Sequence, residues 1–210
     1  MKYAGMPLLM WALFKKSLCK NLTTVFGLDK LQAKTVMKKA KVKYKEIIAK
    51  LPEFEKGDRF KMNIVNCALG CAVVLCMPKR PTVEELTVYY RNSMMTKPMK
   101  WFCRMSGKSK FTAKDIAGMQ KTANFKAADR NPYSWNMDFL PYPDGSGYEG
   151  RFTKCGICVL MKELGLLDLT PAMCALDYAM SEAGGATKFV RQYTIANGDD
   201  YCDCGYKKKL

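Results

Sequence analysis

The chain of 210 residues contains no histidine. That absence removes Ser-His-Asp and Cys-His catalysis, HExxH zinc sites and Cys₂His₂ fingers together, because each needs an imidazole as base or ligand. Acid–base chemistry must then come from Asp, Glu, Lys, Tyr or Cys. Long hydrophobic runs are missing too. The apolar run Met62–Met77 is too short to cross a bilayer and carries Asn63 and Asn66. No transmembrane segment is expected. The apolar stretch Tyr3–Phe14 meets Lys15 and Lys16 without a small-x-small cleavage site, which argues against a signal peptide. An apolar fraction of 49% and a charged fraction of 26% exclude disordered, collagen-like and low-complexity readings.

Acidic residues are scarce in the first half. Residues 1–110 hold 23 Lys and Arg against 7 Asp and Glu, while residues 111–210 hold 12 of each. The whole net charge of +16 therefore belongs to the first half. Such an excess raises a nucleic-acid partner. Yet the lysines are spread along a helix, few aromatics interleave them, and no recognition-helix pattern accompanies them. A solvated face is the expected reading, and a nucleic-acid partner is not expected. The segment Tyr3–Lys20, apolar and then basic, leaves an anionic membrane surface open.

Ten cysteines are present. Cys67, Cys71 and Cys76 lie in the apolar run, where a thiol behaves as a small buried hydrophobe. Nothing in the spacing reads as a secreted disulfide framework, so a reduced, cytoplasmic setting is expected.

Periodicity places helices in the first half. Leu28–Leu51 is amphipathic, Met62–Met77 is apolar on most sides, and Thr82–Glu85 forms a capping box for a helix to about Ser93. Thr112–Asp115 starts another near Asp115–Thr122. Past Asn124 the pattern becomes mixed. Strands are expected at Trp135–Leu140 and Tyr148–Lys154 around a Pro/Gly-rich turn, then a short helix Val159–Leu164 ending at Gly165. Thr170-Pro171 opens a helix to about Ala183 that stops at Gly184-Gly185. Lys188–Ala196 and Tyr201–Lys208 complete a hairpin around Asn-Gly-Asp-Asp. The fold class is α+β: a helical N-terminal part packed on a C-terminal antiparallel sheet with two connecting helices. A basic helical region, 1–125, and an α+β region, 126–210, are expected to form one compact unit.

Five cysteines fall in the neutral part. Cys155 lies where a strand gives way to a helix, a position that favours the thiolate. Cys174 and Asp177, three apart, share a helix face, and Cys202 and Cys204 share a strand face with Asp203 on the other. Packing alone accounts for buried thiols, and Asp203 fits a hairpin tie. Four thiolates (Cys155, Cys158, Cys202, Cys204) match a structural zinc set in number, but Cys-x-Cys on a strand is not a knuckle. No metal or other cofactor is expected.

The order Phe152-Thr-Lys-Cys155, Lys162-Glu-Leu-Gly165, Met173-Cys-Ala-Leu-Asp-Tyr178, Arg191-Gln-Tyr-Thr-Ile195, Gly198 and Cys202-Asp203 resembles the L-2-amino-thiazoline-4-carboxylic acid hydrolase family over about residues 150–206. Cys204 stands where that family has an aromatic, and Cys158 is an addition. The resemblance implies hydrolytic opening of a small carboxylate-bearing cyclic amidine or thiazoline to an N-carbamoyl amino acid. It implies Cys155, Cys174 and Asp177 as catalytic, and Arg191, Thr194, Cys202 and Asp203 as substrate-binding. On an ideal strand Arg191 and Thr194 face opposite ways, so both line one pocket only if the strand twists or bulges. The hairpin ending is also similar to 4-vinyl reductase-type small-molecule-binding domains, which implies a non-catalytic sensor as the alternative. A small molecule is the expected partner in either case; oligomeric state is not legible.

Overall fold

Where this chain supplies an Asp or Thr oxygen at a helix start, that oxygen caps the helix. The computed structural model describes residues 2–209. A 3₁₀ turn, Lys2–Gly5, leads into α1 (Met6–Phe26), and α2 (Lys30–Lys50) follows. Asp29 accepts from the Leu31 and Gln32 amides at 2.8 Å, and the Gln32 side chain closes the box by accepting from the Asp29 amide. α3 (Lys61–Val74) is buried at every residue from Ile64 to Val74 except Asn66, the environment that an all-round apolar helix requires. α4 (Val83–Met94) starts at the Thr82–Glu85 capping box, with both reciprocal bonds made. α5 (Lys97–Gly107), capped by Thr96, has no counterpart among the sequence expectations. α6 (Ala113–Ala127), capped by Thr112, runs well past Thr122.

The second half adds β1 (Asp138–Pro141), β2 (Gly147–Phe152), α7 (Gly156–Glu163), α8 (Thr170–Cys174), α9 (Leu176–Gly184), β3 (Thr187–Val190) and β4 (Cys202–Lys208). The strands form one antiparallel sheet in the order β1-β2-β4-β3, so the last strand inserts beside β2. The architecture is α+β, as the element order implied. Met10, Leu18 and Ile64 of α1 and α3 share one hydrophobic core with Tyr89, Leu160, Met161 and Met173. Among the described residues no helix is long and apolar enough to cross a membrane.

Four boundaries differ from the sequence reading, each for a non-local reason. The first strand begins at Asp138 because Trp135 is buried in the core instead of joining the ladder. β2 stops at Phe152 because Asn136 Oδ1 accepts the Thr153 and Lys154 amides, at 3.0 and 2.7 Å. The helix expected over 171–183 is broken at Ala175 into α8 and α9, so the break falls between Cys174 and Asp177. The strand expected over 188–196 ends at Val190. Asp203 takes the amides of Gln192 and Tyr193, at 3.0 and 2.6 Å, in place of ladder carbonyls. The Asn-Gly-Asp-Asp segment is consequently no tight hairpin; Ile195–Asn197 forms a 3₁₀ turn closed by Gly198 at φ 95°.

α6 extends to Ala127 because its last turn is anchored. The Lys126 ammonium is fully buried, 2.5 Å from Asp58 Oδ2 and 2.6 Å from Asp129 Oδ2, and it also donates to Ser134 Oγ. Burial pushes the Asp129 carboxyl up, but Lys126 and the Asn131 amide outweigh it and hold the group below its usual range. A buried ammonium needs such partners, since desolvating it alone costs several kcal/mol.

Candidate active site

The segment 129–136 forms a seat for the start of α7. The Lys154 ammonium donates to the carbonyls of Asp129 and Asn131, at 3.2 and 3.0 Å, while Asn136 ends β2. The chain must then turn into the helix hard against this seat. Gly156 permits it, because a Cβ there would lie 2.0 Å from the Tyr133 carbonyl oxygen, a backbone atom that cannot step aside. Cys155 is thereby delivered to the N-cap of α7 in an extended conformation. Its thiol closes no capping bond of ordinary geometry. Even so, the Cys158 thiol foremost, and then the Cys158 and Ile157 amides and the Trp135 indole, favour its anion. Against the opposing push of burial, they bring its pKa down to about 7. Cys158 is raised as the donor of that pair.

Cys174 and Cys202 lie within electrostatic reach of Cys155, and Asp177 and Arg191 adjoin Cys174. Burial pushes the Cys174 thiol up to about 12, and the group is within electrostatic reach of Arg191, Asp177, Cys155 and Cys202. Burial likewise raises Asp177, while Arg191 pulls the other way. The Asp177 side chain keeps 41% of its surface exposed although protein surrounds it deeply. Cys155, Cys174 and Cys204 are similarly half-buried. Arg191, only 7% exposed at its side chain, donates Nη1 to Asp177 Oδ2 at 2.9 Å and Nη2 to the Cys174 carbonyl at 3.0 Å. One guanidinium thus ties α8 and α9 together across their break. Cys202 is buried, its sulfur accepting the Ile195 amide at 3.3 Å, and burial raises its pKa.

Thr194 and Asp203 are engaged with backbone. Thr194 Oγ1 accepts the Asn197 amide at 3.1 Å, and its own amide donates to Asp199 at 2.8 Å. Asp203 holds the Gln192 and Tyr193 amides. Both fix the 191–201 loop and so the position of Arg191. The twist needed to reconcile Arg191 with Thr194 does not arise, because neither lies in a strand. Among the described residues no three Cys, Asp or Glu converge at metal-binding distance. Larger open grooves exist, one of about 500 Å³ beside Arg91 and Glu182 and one of about 730 Å³ beside Arg59 and Lys121. Neither is lined by any of these seven residues, and neither brings a thiol to its surface.

A family model for L-2-amino-thiazoline-4-carboxylic acid hydrolase matches residues 76–206, more than half of the chain. The chain belongs to that family. Comparison with curated proteins and with solved structures finds no match. The family segment starts well upstream of the motifs at 150–206 and takes in α4, α5 and α6 as well.

Within this hydrolase-family segment the structure adds groups that the motifs did not single out. Cys158 is the closest electrostatic partner of Cys155, and Trp135 also faces its sulfur. Cys204 and Tyr206, which continue the face of Cys202 at every second residue of β4, feel Asp177 and Arg191. That alternation was available from sequence for Tyr206. Tyr90 of α4, buried and raised by burial, feels Asp177 from the other side, and no sequence signal marks it.

Proposed function

We propose that the chain hydrolyses a small, carboxylate-bearing cyclic amidine or thiazoline of the L-2-amino-thiazoline-4-carboxylate type, with Cys155 as nucleophile. The observation that carries this is a thiol favoured as thiolate at a helix start, within electrostatic reach of Cys174, which in turn adjoins Asp177 and Arg191. Asp177 takes the proton of the Cys155 thiol, and the sulfur attacks the amidine carbon. The ring C–S bond breaks, and Asp177 returns the proton to the departing ring sulfur. Water then attacks the S-linked carbon and gives its proton to Asp177. Cys155 leaves as thiolate, and the former ring becomes an N-carbamoyl amino acid. The raised carboxyl of Asp177 suits this shuttle, since a more basic carboxylate takes a thiol proton more readily and holds it until the ring sulfur departs. Cys174, protonated at neutral pH, is a hydrogen-bond donor toward the same space.

Arg191 is the group proposed to meet the substrate carboxylate, through guanidinium N–H not given to Asp177 or Cys174. Cys202 lines the floor, and Thr194 and Asp203 act by holding the loop. Ten unpaired thiols suit the reducing cytoplasm, where we place the chain. Turnover of L-2-amino-thiazoline-4-carboxylate, followed by the appearance of free thiol, tests the reading. Wild-type activity lost in Cys155→Ala supports it. Ligand retention without turnover in the wild type replaces it with the non-catalytic binding role.

A further inference from the structure

Among the described residues the outer face of α5 is largely exposed. Pro98, Trp101, Phe102 and Met105 follow the i, i+3, i+4, i+7 spacing that makes one stripe along a helix. Trp101 is 63% exposed and Phe102 47%. The opposite side is the packed one: Cys103 and Gly107 are buried, and a Cβ on Gly107 would lie 2.3 Å from the Gly184 carbonyl oxygen of α9. An apolar groove of about 190 Å³ extends the stripe to exposed Leu13 of α1.

Beside the apolar stripe runs a basic one. Lys97, Lys100, Arg104 and Lys108 are exposed, and among the described residues none of them forms an ion pair. No acidic residue occurs anywhere from Leu86 to Lys114. On α1, exposed Leu8, Leu9 and Leu13 are followed by exposed Lys15, Lys16 and Lys20. We propose that this face of α5, with the adjoining side of α1, docks on an anionic phospholipid surface. The arrangement is that of a helix lying in the interface plane, where Trp and Phe enter the headgroup boundary and Lys and Arg meet the phosphates. A second copy of the chain is disfavoured as occupant, because the same cations would face each other across the contact.

Flotation with vesicles separates the occupants. Binding to vesicles of equal parts phosphatidylcholine and phosphatidylserine is expected, with none to phosphatidylcholine alone, and it should weaken as salt rises. Trp101→Ser with Phe102→Ser should reduce binding roughly tenfold. Lys97→Ala and Lys100→Ala should reduce it by about fivefold each. All four side chains are exposed, so the variants should keep the wild-type circular dichroism and its turnover. A blue shift of tryptophan emission on binding, absent from Trp101→Phe, would place that ring in the bilayer. Binding that the Trp101/Phe102 variant leaves intact would overturn the proposal in favour of charge alone. So would failure to bind either vesicle, or self-association without lipid that the same variant abolishes.

Discussion

Cys67 and Cys71 lie one turn apart in the middle of α3; Cys155 and Cys158 lie about one turn apart at the start of α7. The first two sulfurs are 3.8 Å from each other, and Cys71 also donates to Met161 Sδ at 3.1 Å. In the helix middle every amide is already spent on a carbonyl. The Cys67 thiol finds no free amide, and its pKa is raised, foremost by the bond to Cys71, then by burial, and less by Cys155 and Cys174. At the start of α7 the Cys158 thiol foremost, and then the Cys158 and Ile157 amides, which have no carbonyl to serve, bring the Cys155 pKa down to about 7. Burial acts against the anion in both places. The two places differ in which thiol of the pair is held as the anion and in whether free amides face it.

The comparison breaks most visibly in turnover. Cys155→Ala should lower kcat on L-2-amino-thiazoline-4-carboxylate by roughly 10²-fold or more, the scale of a lost nucleophile or base, while Cys67→Ala leaves it unchanged. Equal losses from both would remove the distinction. Alkylation tests the same contrast without a substrate. Iodoacetamide at pH 7 should label Cys155 at least about tenfold faster than Cys67, which should react only on unfolding; peptide mass mapping reads the order.

A finer test concerns the cause of the shift. Turnover limited by the thiolate rises as pH passes upward through about 7, because the anionic fraction grows. Cys158→Ala removes the foremost group favouring that anion, so the limb should move to higher pH, with the plateau rate kept. An unmoved limb would give the shift to the helix amides and Trp135. The smallest effect belongs to α3. Cys67→Ala should cost about 1–2 kcal/mol in denaturant unfolding, the loss of one well-packed sulfur, without altering the pH profile of turnover.

Local signals account for most of the elements legible in the sequence, although α5 carries a Thr96 cap and Pro98 and is not among them. The Asp29, Thr82 and Thr112 caps start the helices where the side-chain chemistry says they should, and Gly165 and Gly185, at φ 68° and 77°, close the helices before them. The site was legible in the same measure. Cys155 at a helix start and the Cys202/Cys204 face both follow from spacing. What escaped depends on partners distant in sequence. Asp203 ends β3 by taking two amides some ten residues away, and Asp58 draws α6 out by another turn through Lys126, 68 positions further on. Tyr90 comes within electrostatic reach of Asp177 because α4 packs against α8, which no periodicity encodes.

The buried Lys126 cluster bears on how this fold can be inherited. Of its two carboxylates, Asp58 lies upstream of residues 76–206, while Asp129 and Ser134 lie within them and adjoin the seat of Cys155. A segment cut at the family boundary would keep a desolvated ammonium with one counter-charge, a loss of about 3–5 kcal/mol for breaking such a pair. It would also strip α4 and α8 of the core they share with α1 and α3. The segment matched by the family model is therefore not a portable module. Grafting its motifs onto another leader would succeed only where that leader also brings an acid to the end of α6.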